Sequence, residues 1–284
     1  MAERLIRFDW AMKKLLRQKA HFAILEGFLS ELLKEDIFIE EILDGETNQD
    51  DAEDKFNRVD ILAKKTNGEL IIIEVQNNKE VDYFQRMLYG VSKVTGEHIF
   101  SGQPYSELKK VYSVNIVYFD LGQGKDYVYH GKNYFKGLHE GDVLQLSQRQ
   151  KDLFGKDELH KLFPEYYVIK INSFNDVAKD TLDEWIYYLK NDAVLKGSKA
   201  KGLREVEEQL RVQSLTDADR QDYYRHAEND RLARGLLFTA RDEGEAFGKR
   251  EQAIKTAFKL KALNMDNQTI ADCTGLTIEE VEVL

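Results

Sequence analysis

Hydrophobic positions along the chain alternate between two periods, and the switches between them lay out the fold. From about residue 3 to 34 apolar residues recur at helical spacing, with Leu25, Phe28, Leu29, Leu32 and Leu33 on one face and a polar break near Gln18 to His21. Ile37, Ile39 and Ile42 suggest a first strand. Two β-rich runs, Arg58 to Lys65 and Glu69 to Gln76, then flank Thr66-Asn67-Gly68, the composition of a β-hairpin whose turn takes its left-handed residue from Gly68. Val81 to Phe100 returns to the helical period, with Phe84, Met87, Leu88, Val91, Val94 and Ile99 as its inward set, and Val111 to Phe119 reads as a strand. Short strands at Asp126 to Gly131, Val143 to Leu146 and Tyr166 to Ile171, and a helix at Leu182 to Leu189 that packs Trp185 and Ile186 inward, extend the sheet and its cover.

Beyond about residue 195 the composition shifts to Glu, Gln, Arg, Ala and Leu with no strand signal, so we expect a mixed α/β domain over 1–195 and a helical region over 196–284. Leu203 to Val212 and Asp217 to Phe247 read as helices, paired as a hairpin or standing out as an arm. Residues 253–284 resemble a small helix-turn-helix. Only nine residues follow Gly275, three of them Glu, which favours helix packing or homo-oligomer formation over groove reading.

The hairpin carries the chemistry. With a three-residue loop, Lys65 pairs with Glu69, Leu62 with Ile72, Asp60 with Glu74 and Arg58 with Gln76, and directly paired residues share a face. Val59, Ile61, Ala63, Ile71, Ile73 and Val75 then form an apolar face, while Asp60, Glu74, Gln76 and Arg58 gather at one end of the other. Opposed carboxylates with Cβ atoms roughly 4.5 to 5.5 Å apart destabilise a sheet, and a cation relieves them. A two-residue Asn67-Gly68 turn would instead slip the register by one, pairing Asp60 with Val75 and parting the acids. Polar residues on one face are also what any half-exposed antiparallel strand shows.

Asp60 followed after a hairpin by Glu74-Val75-Gln76 resembles the signature of the PD-(D/E)XK nucleases, with Gln76 where most members carry Lys. The words Phe8-Asp9-Trp10-Ala11-Met12-Lys13-Lys14-Leu15-Leu16, Phe56-Asn57-Arg58-Val59-Asp60, Arg86-Met87-Leu88-Tyr89-Gly90 and Leu182-Asp183-Glu184-Trp185-Ile186-Tyr187 are similar to the bacterial transposase or recombination-promoting branch, from about residue 5 to about 192. The resemblance implies a restriction-endonuclease-like αβββαβ core, here with extra strands and a helical C-terminal extension. It also implies a metal-dependent DNA endonuclease in which Asp60, Glu74 and the backbone carbonyl of Val75 hold Mg²⁺ or Mn²⁺, with Glu26 on the first helix as a candidate third carboxylate. Gln76 would position the nucleophile, since an amide hydrogen-bonds but carries no charge. Arg58, Gln85 and Arg86 are the candidate DNA contacts. Asp9, in the opening motif, serves equally as a helix N-cap, and Lys64, further along the polar face, is a candidate substitute for the missing lysine. The alternative is a catalytically silent member of the fold that binds DNA or protein.

Composition narrows the classes. A hydrophobic fraction of 42% and aromatic fraction of 11% suit a globular protein, and no apolar run approaches the roughly 20 residues of a membrane span, so a cytoplasmic protein is expected. The single Cys273 excludes an internal disulfide, the six histidines show no i, i+4 pairing for zinc, and Gly122-Gln123-Gly124-Lys125 lacks the spacing of a nucleotide phosphate loop. A net charge of −10 opposes bulk attraction to DNA, so binding must rest on a local basic surface.

Overall fold

The computed structural model of the chain describes residues 5–43, 60–99 and 101–284; Arg58, Val59 and the acidic stretch 44–54 lie outside them. The chain divides into two compact units, Met1–Thr216 and Asp217–Leu284. In the first, helices α1 (Phe8–Lys14) and α2 (Phe22–Leu33) precede β1 (Ile39–Leu43), β2 (Ile61–Lys65), β3 (Leu70–Gln76), α3 (Tyr83–Glu97) and β4 (Val111–Val117). This is the αβββαβ order, counted from α2. After it come β5 (Val128–Gly131), α4 (Gln148–Phe154), β6 (Glu165–Lys170), α5 (Thr181–Asn191) and α6 (Leu203–Gln209). The six strands lie in the order β1-β2-β3-β4-β6-β5. β1, β2 and β3 pair antiparallel, β3-β4 and β4-β6 pair parallel, and β5 closes the far edge antiparallel to β6.

The turn settles the hairpin register. Lys65 O accepts from Gly68 N at 2.8 Å, Lys65 N donates to Glu69 O at 2.8 Å, and Gly68 sits at φ +82°. This is a three-residue loop closed by a left-handed glycine. Leu62 lies opposite Ile72 and Ile61 opposite Ile73, so the one-residue slip does not occur. α3 crosses over one face, where Val91 and Val94 pack on Leu62, Leu70, Ile72 and Val111. On the other face Ile61, Ala63, Ile71 and Ile73 are at most 1% exposed, so the sheet is covered on both sides. A second helical group, α1, α2 and α5, is joined by the rings of Phe8, Phe28, Trp185 and Tyr188 with centroids 5.4 to 6.2 Å apart.

Three local expectations change. Phe84 and Leu88 are 52% and 60% exposed, and Tyr83 rather than Phe84 points inward, because α3 has more apolar residues than its buried face can take. Val143 to Leu146 is no sheet strand: Val143 makes an isolated bridge to Lys136, and bonds from Gly137 N to Asp142 O and from Leu144 N to Phe135 O fold the segment on itself. α7 (Asp217–Ala262) runs past Phe247 and absorbs the next predicted helix. In the second unit α8 (Asn267–Thr274) and α9 (Ile278–Val283) pack on its end through Ala257, Ile270, Ala271, Leu276 and Val281, while Leu236, Phe238 and Phe247 along its middle are more than 70% exposed.

At the amino-terminal ends of the parallel strands the sheet buries a charged network that sequence patterning does not reveal. Lys110 and Glu165, both under 8% exposed, meet at 2.5 Å, and His130 Nε2 lies 2.6 Å from the other Glu165 oxygen. Lys65, Glu69 and Lys156 continue the network at 2.7 and 2.5 Å. Removing one member strands its partner, so Glu165→Gln is expected to cost about 3 kcal/mol or more of stability in urea unfolding. Replacing the pair by Lys110→Met with Glu165→Leu should cost less than the single change.

Candidate active site

The candidate site sits at the carboxyl end of β3, beside its parallel neighbour β4, where open α/β sheets hold their ligands. The β2-β3 ladder ends at Ile61-Ile73. Asp60 therefore precedes the ladder, and its carboxylate takes over from a backbone carbonyl: Oδ2 accepts from Val75 N at 2.7 Å. Glu74, one residue back on β3, is 6% exposed and faces α3. There Arg86, in the first turns of the helix, donates from Nη2 to Glu74 Oε2 at 3.2 Å and from Nη1 to Glu80 at 2.8 Å. The Gln76 amide lies 2.9 to 3.0 Å from Nη1 and Nη2 of the same guanidinium, and since both are donors its orientation is assigned with the oxygen toward them as acceptor. Asp60 Oδ1 and Glu74 Oε1 carry no hydrogen bond among the described residues.

Burial governs the electrostatics. It pushes the Asp60 carboxyl up, against the Val75 N–H and the charges of Lys13, Arg86 and Arg17, which hold it down. Glu74 is pushed up to about 7, chiefly by burial and further by the charge of Asp60, while Arg86 opposes the rise. Glu74 and Arg86 line a small cavity of about 10 Å³ under α3, and with both carboxyls pushed up by burial the site is short of positive charge.

Several sequence candidates lie elsewhere. Glu26 Oε1 accepts from Ile39 N at 2.8 Å, and Ile39 pairs with Lys65 at the turn end of the hairpin. That is roughly 16 Å along the strand from Asp60 at ~3.3 Å per residue, so Glu26 holds β1 and does not complete the acidic pair. Lys64 is neutralised by Glu40 and Glu41, both at 3.1 Å, and does not replace the lysine absent at position 76. Asp9 is not an N-cap; it lies inside α1, buried, pairing with Arg7 at 3.0 Å and accepting from Asn77 Nδ2 at 3.1 Å, which ties the helix to the residue after Gln76. Gln85 is exposed on α3, whereas Arg86 faces the carboxylates. Lys13 and Arg17 went unnoticed in the sequence: both are exposed, both act on Asp60, and Arg17 donates to the Asp60 carbonyl at 2.7 Å. Their i, i+4 spacing was the available signal.

Among the described residues no group of three or more His, Cys, Asp or Glu converges as a metal cluster, and no helix is long and apolar enough to cross a membrane. The strand order, the crossover α3 and the acids at the ends of β2 and β3 define a restriction-endonuclease-like fold with an acidic site. The family model for PD-(D/E)XK nuclease family transposases matches residues 6–232, and the chain belongs to that family. No curated protein and no solved structure matches it.

Glu74 binds its proton near pH 7 in the folded chain and near its ordinary 4.5 when unfolded. The folded state therefore holds more proton between those values, and stability falls as pH rises across that window. The displacement is worth roughly 3 kcal/mol. Without added divalent ion, Glu74→Gln is expected to raise the Tm at pH 8 by several degrees and to leave it nearly unchanged at pH 4.5, as differential scanning fluorimetry would record.

Proposed function

We propose that the protein is a metal-dependent DNA endonuclease of the transposase or recombination-promoting type. The observation that carries this reading is a pair of neighbouring carboxylates, half-buried Asp60 just before β2 and buried Glu74 on β3, each with an oxygen unengaged among the described residues. Hard oxygen donors suit Mg²⁺ or Mn²⁺, and Mg²⁺ needs only one or two carboxylates because it keeps several waters. Asp60, Glu74 and the Val75 carbonyl are the proposed ligands. A bound ion would lower the pKa of water and stabilise charge on the scissile phosphate.

The chain's own groups do the rest. The Val75 N–H fixes the Asp60 carboxylate and Arg86 fixes that of Glu74. With its oxygen held by Arg86, Gln76 presents its NH₂ as a donor, able to orient a water or a phosphate oxygen but not to accept a proton. Lys13 and Arg17 on the α1 side and Gln85 on α3 are the proposed DNA contacts, with Arg58, outside the described residues, as a further candidate; Lys13 and Arg17 bring local positive charge to a chain of net charge −10. The exposed apolar middle of α7 supports self-association with a second copy, with no bearing on the chemistry.

Purified protein should relax and linearise supercoiled plasmid with Mg²⁺ or Mn²⁺. Asp60→Ala and Glu74→Ala should each lower cleavage at least about a hundredfold, since the ion supplies several kcal/mol of transition-state stabilisation. Plasmid left intact under both metals, together with a gel shift that survives both substitutions, would leave a DNA-binding module in place of the enzyme.

A further inference from the structure

Arg86 makes contacts that a surface phosphate-binding arginine does not. Its guanidinium is engaged by three acceptors at once: Glu74 at 3.2 Å, Glu80 at 2.8 Å and the Gln76 amide oxygen at 2.9 and 3.0 Å. Its Nε is fully buried with no partner among the described residues, and the side chain is only 29% exposed. A planar fork held at three points has one orientation, which a flexible ammonium would not keep. Charge accounting gives that orientation a purpose. Asp60, Glu74 and Glu80 bring three carboxylates; Lys13 and Arg17 act on Asp60 from the α1 side, and Arg86 is the cation paired with both Glu74 and Glu80. Without Arg86, and with an uncharged amide at position 76, Glu74 and Glu80 would lose the cation that pairs with them on the side where an anionic phosphodiester has to enter.

Building on the nuclease reading above, we propose that Arg86 is the positioning cation of this site. Its guanidinium pins the Gln76 amide with the NH₂ outward and shares Glu74 with the divalent ion, supplying from the helix the positive charge that the strand lacks at position 76. Two consequences are specific to this arrangement. The ion must compete with Arg86 for Glu74, so deleting the guanidinium strengthens metal binding while it weakens turnover. The missing charge can also be returned from the strand side, by lysine at position 76.

The test is calorimetric titration with Mn²⁺ alone, alongside plasmid cleavage, on wild type, Arg86→Gln, Arg86→Lys and the double variant Arg86→Gln with Gln76→Lys. Arg86→Gln is expected to bind Mn²⁺ about tenfold more tightly, the equivalent of one lost competing ion pair. Its kcat should fall roughly a hundredfold, the scale of one preorganised donor, with KM for DNA changed less than about threefold. The double variant should recover at least tenfold of the lost kcat. Arg86→Lys should keep wild-type Mn²⁺ affinity and lose about tenfold in kcat, and it decides the matter should Arg86→Gln fail to fold: full kcat in Arg86→Lys overturns the proposal. Unchanged or weaker Mn²⁺ binding in folded Arg86→Gln, or no recovery in the double variant, also overturns it while leaving the nuclease reading intact. A wild-type protein that neither takes up Mn²⁺ nor cuts plasmid overturns both.

Discussion

Two carboxylates that repel each other are held together at the end of a sheet, and the register of one hairpin is what holds them. The left-handed Gly68 closes a three-residue loop, which fixes Leu62 opposite Ile72 and so brings Asp60 to the Val75 N–H beside Glu74. A slip of one residue would also turn the Leu62–Ile72 row away from α3, which packs Val91 and Val94 on it. The arrangement that is unfavourable at the site is thus enforced by the arrangement that is favourable in the core. The hydrophobic cover of the hairpin supplies the free energy, and the acids bear the strain.

The same sheet buries charge at both ends and treats it in opposite ways. At the amino-terminal ends of the parallel strands Glu165 is matched by Lys110 and His130, and its carboxyl is held below the ordinary range. Glu69, between Lys65 and Lys156, is brought down to about 2. At the carboxyl end Asp60 and Glu74 are both pushed up, because burial there outweighs the cations on hand. Networks of the first kind anchor a fold. Carboxylates short of positive charge at the end of a sheet mark a candidate site for a cation or a proton.

Sequence periodicity revealed the sheet well and the site in part. Strands β1 to β4, β5 and β6 and the helices that cover them follow from local alternation, and the Asp60, Glu74, Gln76 constellation follows from the hairpin and from family likeness. The phase of α3 did not follow, because Phe84 and Leu88 are apolar yet exposed, and an amphipathic pattern does not say which of its excess apolar residues the sheet will accept. Nor did the partners of Arg86, Lys13 and Arg17. These contacts join positions 6 to 47 apart in sequence, and their existence depends on how helices lie over strand ends, which no local period encodes.

On the proposed reading, glutamine at position 76 moves the positive charge of the site from the strand to the helix. A lysine there would place one mobile charge beside the carboxylates, whereas Gln76 and Arg86 place a neutral amide and a fixed cation. That arrangement has a physical advantage in a chain of net charge −10. A guanidinium stays ionised whatever its surroundings, while an ammonium buried between carboxylates and a divalent ion would be pulled by opposing fields. The cost is geometric, since the charge now depends on the helix keeping its place over the sheet. α3 is well secured for that role. Tyr83 donates to Asn115 on β4 at 3.1 Å, and Tyr83 and Met87 pack with Val117, Phe119 and Val168, so the turn that carries Arg86 is anchored on both sides of it.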